Sequence, residues 1–218
     1  MCSEPAKTVQ IVEITDPADA LLLPWFDLYE TAFRPEERML VSYHLHILRK
    51  RSRGESTNTR FLAAVNEEQR LVGMAQYLDV PKAEALYLWY LAVVPDLRGR
   101  GIGSMIYREV ERHARGLHRR GIIIEVEMPE RARDAEHRDA CERRVRFYQH
   151  LGAQLLLGVH YLQSVGRHQP KLPMHVMIQP FEPMDAARAF DFAKAVLGSS
   201  MSQSGELVFG QAPGPHRD

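Results

Sequence analysis

A glycine-spaced turn is the segment of this chain best suited to bind a phosphate group. Arg98, Gly101 and Gly103 form the pattern R-x-x-G-x-G, directly before a run with helical periodicity. Glycines allow consecutive backbone N–H groups to point at one ligand and allow that ligand to approach closely. The start of the helix adds unpaired N–H groups and the positive end of its dipole. Because Arg98 and Arg100 can also hydrogen-bond phosphate oxygens, the turn predicts a pyrophosphate site.

Three other interpretations of this turn can be compared with a pyrophosphate site. A nucleotide-binding P-loop is disfavoured because no Gly-Lys-Ser or Gly-Lys-Thr follows. A Rossmann fingerprint is disfavoured because the third glycine is absent and the preceding strand lies mid-chain after a hairpin. The third interpretation, a glycine-rich helix start that serves only tight packing, stays open.

Two glutamates in an apolar strand are the second candidate for chemistry. Glu125 and Glu127 lie in IIIEVEM, on the same face of a predicted strand. Burying such a pair of carboxylates costs free energy, so the pair is expected to be solvated, ion-paired or functional. A solvent-facing or salt-bridged strand face therefore stays open beside a role in acid–base chemistry. Tyr87 and Trp89, on the preceding strand, are interpreted as a packed core face.

Cysteine and histidine positions indicate neither a disulfide framework nor a metal site. Cys2 and Cys141 are the two cysteines of the chain, too few for a disulfide scaffold. His44 and His46 are two residues apart, so a helix would direct them to different faces. We find no Cys/His set with metal-ligand spacing, and the sequence predicts no metal.

Composition narrows the class of protein. The chain has 218 residues, 45% of them hydrophobic, with 28 basic and 28 acidic side chains. The apolar fraction excludes a disordered or fibrous protein. Zero formal net charge argues against nucleic-acid partners and against electrostatic attachment to a membrane. Since no apolar run approaches the roughly 20 residues of a membrane span and the N-terminus lacks a signal-peptide core, we expect a cytoplasmic protein.

Hydrophobic periodicity predicts one α/β domain over residues 1–197, followed by a Gly/Ser/Pro-rich tail over 198–218 that we expect to be mobile. The predicted strands cover 9–14, 61–65, 71–80, 85–94, 122–128, 154–162 and 173–178. The predicted helices begin at Asp16-Pro17 and near Glu36, cover 102–117 and 182–197, and include one that carries Val145, Tyr148 and Leu151. A polar, highly charged stretch covers 129–140.

Two of these segments together resemble the GCN5-related N-acetyltransferase superfamily. The first is V-V-P-x-x-R-G-x-G-I-G over 93–103, and the second is R-F-Y-Q-H-L-G-A over 146–153, which is similar to the family's F-Y-x-x-x-G-F. With the order of elements, the similarity spans roughly residues 9–178. The resemblance implies an α/β fold whose mixed sheet is splayed between its fourth and fifth strands and flanked by helices. It also implies that acetyl-CoA is the cosubstrate and enters the splay.

The resemblance also assigns the cofactor contacts. The pantetheine arm would pair with the strand backbone at Leu91, Ala92 and Val93. The pyrophosphate would bind the turn, on the backbone amides of Arg98, Gly99, Arg100, Gly101, Ile102, Gly103 and Ser104.

Catalytic roles follow from the same comparison. Tyr148 occupies the tyrosine position of the second motif, which implies an acid that protonates the departing thiolate; a core aromatic is the alternative. Glu125, in Ile-Glu-Val, matches the base of the ribosomal-protein alanine acetyltransferase branch. Glu127 is then its partner or a clamp for the substrate. The chain departs from the family pattern at Cys141, where an asparagine is frequent, and at Ala153, where phenylalanine is usual.

The sequence therefore predicts acetyl transfer from acetyl-CoA to a primary amine by direct attack in a ternary complex. An acidic pair at the acceptor site would favour a small-molecule or peptide amine that is cationic. Two alternatives stay open, namely a non-catalytic CoA-binding sensor or interaction module on the same fold and a small-molecule binding domain without CoA affinity. Apolar residues of the predicted tail suggest a homodimer: Leu207, Val208 and Phe209.

Overall fold

The computed structural model describes residues 9–166 and 170–210, which form a mixed α/β fold. The strands are β1 Gln10–Ile14, β2 Thr59–Val65, β3 Leu71–Val80, β4 Ala85–Val93, β5 Gly121–Glu127, β6 Gln154–Gln163, β7 Leu172–Pro180 and β8 Met201–Gly210. The helices are α1 Leu22–Ala32, α2 Val41–Ser52, α3 Ile102–Gly116, α4 Ala135–His150 and α5 Ala186–Leu197. The strand order is β1-β2-β3-β4-β5-β7-β6-β8 in a mixed sheet flanked by helices. The predicted fold class is confirmed.

Residues 9–79 and 88–113 form one compact unit, unit 1. Its strands β1, β2 and β3 pair antiparallel. Helix α1 contributes aromatic side chains to its core, and helix α2 contributes aliphatic ones. Trp25 is fully buried, stacks on Tyr29 at 5.6 Å between ring centroids and contacts Phe61. Its indole N–H donates to the carbonyl oxygen of Leu62. The buried indole therefore has its hydrogen bond, as burial of a polar group requires.

Residues 80–87, 114–166 and 170–210 form a second compact unit, unit 2. Strands β5, β7, β6 and β8 are successive antiparallel neighbours. Helix α5 contributes Phe190 and Ala193 to the same buried cluster as β5 and β7. Asp134 and Asp185 cap α4 and α5 by accepting the backbone N–H three residues on.

The first helices begin later than the sequence predicts. Asp16 and Asp19 accept backbone N–H groups two residues ahead, so the chain forms turns there and α1 begins only at Leu22. Near Glu36 the chain forms a short 3₁₀ turn, Pro35–Glu37, and α2 begins at Val41. Side-chain hydrogen bonds to the backbone, such as those of Asp16 and Asp19, compete with helix formation.

The polar stretch over 129–140 is partly helical, since α4 begins at Ala135.

The prediction of a mobile tail is wrong for residues 201–210. Met201–Gly210 forms β8, which pairs antiparallel with β6, and Met201 is buried. The two strands approach closely at Gly158, where a Cβ atom would lie 2.0 Å from the carbonyl oxygen of Glu206. The glycines and serines within 201–210 therefore belong to an edge strand. Residues 211–218 lie outside the described part of the chain.

Two apolar residues of β8 belong to the core of unit 2. Leu207 and Phe209 pack against its buried cluster, and Val208 is exposed. The homodimer stays a prediction. Of the three apolar residues that suggested it, Val208 is the exposed one. Among the described helices, none combines the length and the apolar character needed to cross a bilayer.

Candidate functional site

The glycine turn of unit 1 connects the end of β4 to the start of α3. After β4, a 3₁₀ turn at Pro95–Leu97 leads to Gly99 and Gly101, whose φ angles are 74° and 81°. A Cβ atom at either glycine would meet nothing within 4 Å. The requirement for glycine is therefore conformational, since other residues adopt this left-handed backbone only with strain.

Contacts inside unit 1 hold this turn in place. The Nε of Arg98 donates to the carbonyl oxygen of Val93 at 3.2 Å, and its backbone N–H donates to Pro95. Helix α3 packs closely on β3, because a Cβ atom at Gly73 would lie only 2.7 Å from Cδ1 of Ile106. The amide of Arg98 is thus used within the turn. The amides that follow it at the start of α3 are those a helix leaves unpaired, and they suit an anion.

A groove of about 550 Å³ borders the first three turns of α3. Two of its arginines are paired within the helix, Arg108 with Glu111 and Arg112 with Glu109. The groove reaches the glycine turn at Ser104, and the charges of these two arginines are compensated by the glutamates. Its lining residues are Val9, Ile11, Ser104, Met105, Arg108, Glu109 and Arg112.

Glu125 of β5 lies at the centre of a hydrogen-bonded cluster in unit 2. The hydroxyl groups of Tyr87 and Tyr161 both donate to its Oε1, and the amide of Gln163 donates to its Oε2 at 2.7 Å. Burial raises the pKa of the Glu125 carboxyl above its usual value, and these three hydrogen bonds partly offset that rise. A carboxylate of raised pKa takes up protons more readily than an exposed one and is suited to act as a general base.

Glu127, two residues further along β5, has a different environment. Its carboxylate accepts from Arg144 at 2.8 Å and contacts Nε2 of His137 at 2.9 Å. Both partners lie on α4, and Glu127 is buried. The negative charge of Glu127 is therefore compensated within the chain, whereas Glu125 has no cationic partner among the residues that the structure describes.

The same region brings together three potential metal ligands. Glu127, His137 and Cys141 each place one ligand atom within 4.8 Å of the others. His137 and Cys141 are four residues apart on α4, a spacing that the sequence analysis overlooked. The Nδ1 of His137 accepts the backbone N–H of Arg133, and the guanidinium of Arg144 already binds Glu127. These contacts describe an ion-pair network; the expected absence of a metal stays a prediction.

Tyr148 is a buried residue of α4 in unit 2. Burial raises the pKa of its hydroxyl group to about 12, although the nearby guanidinium of Arg144 lowers it. The phenol therefore stays protonated at neutral pH and can donate a hydrogen bond to a developing thiolate. Full transfer to a thiolate is unfavourable, because an ordinary thiol has a pKa of about 8.5.

On the role that the family resemblance implies for Tyr148, a hydrogen-bond donor to the leaving thiolate, we predict that Tyr148→Phe lowers kcat about 10²-fold. The affinity for acetyl-CoA should change little. Because the Tyr148 pKa is near 12, the wild-type rate should show no basic limb from this group at neutral or mildly alkaline pH. Steady-state kinetics across pH check both statements, with the thermal unfolding of the variant as control. An unchanged kcat would remove Tyr148 from the mechanism.

Comparison with known proteins gives the class of this protein. Residues 22–153, more than half of the chain, match the family model described as Acetyltransferase (GNAT) family. The chain therefore belongs to the GNAT acetyltransferase family, and the predicted resemblance is confirmed. A search of curated proteins gives no match.

Solved structures share the fold at low sequence identity. A GNAT-family protein of Bacteroides thetaiotaomicron, described as an acetyltransferase, has a TM-score of 0.63 and 23% identity over 86% of this chain and 94% of that chain. A GNAT acetyltransferase from Staphylococcus aureus has a TM-score of 0.55 and 14% identity, with 80% and 100% covered. A spermidine/spermine N-acetyltransferase from Vibrio cholerae has a TM-score of 0.53 and 12% identity, with 78% and 91% covered. At these identities the likeness shows the fold.

Proposed function

We propose that this protein is an N-acetyltransferase that transfers the acetyl group of acetyl-CoA to a primary amine by direct attack in a ternary complex. The observation that supports this most is the turn between β4 and α3. Its two glycines adopt positive φ angles directly before the unpaired amides of a helix start. Membership of the GNAT family makes an acyl-CoA thioester the expected donor for a site of this kind.

The proposed cosubstrate contacts lie in unit 1. The amides from Gly99 to Ser104 would bind the pyrophosphate, supported by the exposed side chain of Arg100. The backbone at Leu91, Ala92 and Val93 would pair with the pantetheine arm. Arg98 would act mainly by fixing the turn to the carbonyl oxygen of Val93.

The proposed chemistry uses residues of unit 2. Glu125 accepts one proton from the acceptor ammonium, which frees the nitrogen lone pair to attack the thioester carbonyl carbon. A C–N bond forms, the C–S bond breaks, and the sulfur leaves as a thiolate that Tyr148 stabilises by hydrogen bonding. The second nitrogen proton leaves with the collapse of the adduct and neutralises the thiolate. The products are the N-acetyl amide, the free thiol of CoA and one proton, held by Glu125 until solvent removes it.

For Glu127 we propose a general role at the acceptor site, and for the acceptor we propose only its chemical class. Glu127 would contact or orient the acceptor while its own charge is compensated by Arg144. The fold is shared with a spermidine/spermine N-acetyltransferase, and a cationic amine is the acceptor class that we propose for this chain as well.

Gly101→Ala tests the cosubstrate site. We expect it to weaken acetyl-CoA binding by about tenfold or more, since a non-glycine residue in the left-handed region costs about 1–3 kcal/mol. Gly54→Ala is a matched control, because Gly54 has a φ angle of 78° and a Cβ atom there also meets nothing within 4 Å. Calorimetric titration of acetyl-CoA into both folded variants measures the difference. Equal affinities would contradict the assignment of the turn.

The same titration on the wild type decides between the proposed functions. Binding of acetyl-CoA followed by acetylation of a primary amine supports the enzyme. Binding without turnover across a panel of amines would favour the CoA-binding sensor instead. A folded wild type that binds no acetyl-CoA would overturn both.

A further inference from the structure

Three neutral donors surround the carboxylate of Glu125; we name Tyr87, Tyr161 and Gln163 the carboxylate cradle. Tyr87 lies near the start of β4, and the other two lie on β6. The two hydroxyl groups donate to Oε1, and the amide of Gln163 donates to Oε2. Contacts from two strands on both oxygens fix the direction in which the carboxylate points.

The cradle stabilises a negative charge without neutralising it. Among the described residues, no arginine, lysine or histidine lies within ion-pair distance of Glu125. Glu127, on the same strand, is paired with Arg144 at 2.8 Å. Glu125 as a residue is partly exposed, as Gln163 is. An uncompensated carboxylate in such a place attracts a cation.

Hydrogen-bonding capacity also remains beside this charge. Within the described part of the chain, the Oε2 of Glu125 accepts one hydrogen bond, from Gln163, and has a lone pair for a second. The Oε1 of Gln163 is buried and has no hydrogen-bond partner within the described ranges. Gln163 as a residue is partly exposed, so a small side-chain shift brings this oxygen to a ligand. Two adjacent acceptors suit a group with at least two N–H donors, whereas an alcohol offers one.

We propose that the carboxylate cradle holds Glu125 ionised and directs it at the ammonium group of the acceptor, and that Gln163 contributes a second acceptor to that group. Tyr87 and Tyr161 are positioning residues, since they act through Glu125. The inference rests on the proposed acetyl transfer for its role in turnover. The ionisation of Glu125 and the binding of an amine are measurable without turnover.

The first test measures the ionisation of Glu125 directly. Infrared difference spectra of the carboxyl stretch, with Glu125→Gln as the subtracted reference, give the pH midpoint of this group. Tyr161→Phe and Gln163→Met should each raise the midpoint by roughly one pH unit, because each removes a hydrogen bond to the charged form. Gln154→Met, the same substitution at the other end of β6, should leave it unchanged. An unmoved midpoint in folded Tyr161→Phe and Gln163→Met would overturn the role of the cradle.

The second test uses pentylamine as the probe and pentanol as its neutral counterpart. Pentylamine should lower the Glu125 midpoint, because an ammonium stabilises the carboxylate, and pentanol should not. Gln163→Met should weaken pentylamine binding by about tenfold, as expected when a hydrogen bond to a charged group is lost. No effect of pentylamine, or an equal effect of pentanol, would overturn the ammonium site. If acetyl-CoA still binds the wild type in that case, the proposed cosubstrate site stands and only this inference fails.

Discussion

Replacing Glu125 with glutamine is expected to lower kcat/KM for the acceptor amine by about 10²- to 10⁴-fold, the usual contribution of a general base. Glutamine keeps the size of the side chain and can still accept hydrogen bonds from Tyr87 and Tyr161. It cannot take a proton from an ammonium. The loss should therefore fall on the proton-transfer step, while acetyl-CoA affinity and thermal stability change little.

The pH profile identifies the residue responsible. Burial raises the pKa of Glu125, so the carboxylate is present above that pKa and is lost as the pH falls through it. The wild-type kcat/KM should consequently fall on the acidic side, and the Glu125→Gln profile should lack this limb. Glu142→Gln is a suitable control, since Glu142 is also buried but pairs with Arg146 on α4. An acidic limb that persists unchanged in Glu125→Gln would mean that another residue or bulk water is the base.

The conformation of the glycine turn between β4 and α3 is predictable from sequence because its requirements are local. Positive φ angles at Gly99 and Gly101 and the helix start at Ile102 lie within four consecutive residues. The hairpin between β2 and β3 and most strands are predictable for the same reason, since period-two alternation is a short-range signal. The family resemblance adds the cosubstrate, which the residues alone do not identify.

The side chains that surround Glu125 and Glu127 cannot be predicted from local sequence patterns. Tyr87 and Gln163 each lie 38 residues from Glu125 in the chain, and the fold brings them together. The sequence predicts Tyr87 to be a packed core residue, because alternation on a strand does not reveal what a hydroxyl group contacts. The pairing of Glu127 with Arg144 depends likewise on how α4 packs on β5. The two glutamates look equivalent in the sequence, but the fold gives them different partners.

The late strand β8 shows a different limit. Its serines and glycines carry little β propensity, and Met201, Leu207 and Phe209 are too widely spaced to stand out. The strand forms because β6 offers an edge for pairing and the core of unit 2 offers apolar contacts. Tertiary context therefore decides this element, and composition alone suggests a tail.

Acidification is expected to destabilise unit 1 through His44, the second large effect that the structure predicts. His44 is fully buried on α2, and burial lowers the pKa of its imidazole from 6.5 to about 4. Its Nδ1 accepts from the amide of Gln76, and its Nε2 contacts the hydroxyl group of Tyr29, which donates to the carbonyl oxygen of Met39. This set of contacts suits the neutral ring with its proton on Nε2.

The sign of the effect follows from proton linkage. The unfolded chain takes up a proton on His44 below pH 6.5 and the folded unit does so only below about pH 4, so the free energy of unfolding falls as the pH falls through this window. The full loss is about 3 kcal/mol, since one pKa unit corresponds to about 1.4 kcal/mol. Stability from this source is fully present above pH 6.5 and absent below pH 4.

Urea unfolding at several pH values, followed by tryptophan fluorescence, measures this loss in unit 1, because both tryptophans, Trp25 and Trp89, lie there. His44→Gln should be less stable at neutral pH, since it disturbs the contacts to Tyr29 and Gln76, yet its stability should vary less between pH 6.5 and pH 4. His46→Gln, at an exposed position of the same helix, should keep the wild-type pH dependence. The difference between the two variants isolates the buried imidazole from the carboxylates that titrate in the same range. If both variants lose stability with the wild-type slope, the acid sensitivity of unit 1 has another origin and His44 is only a packing residue.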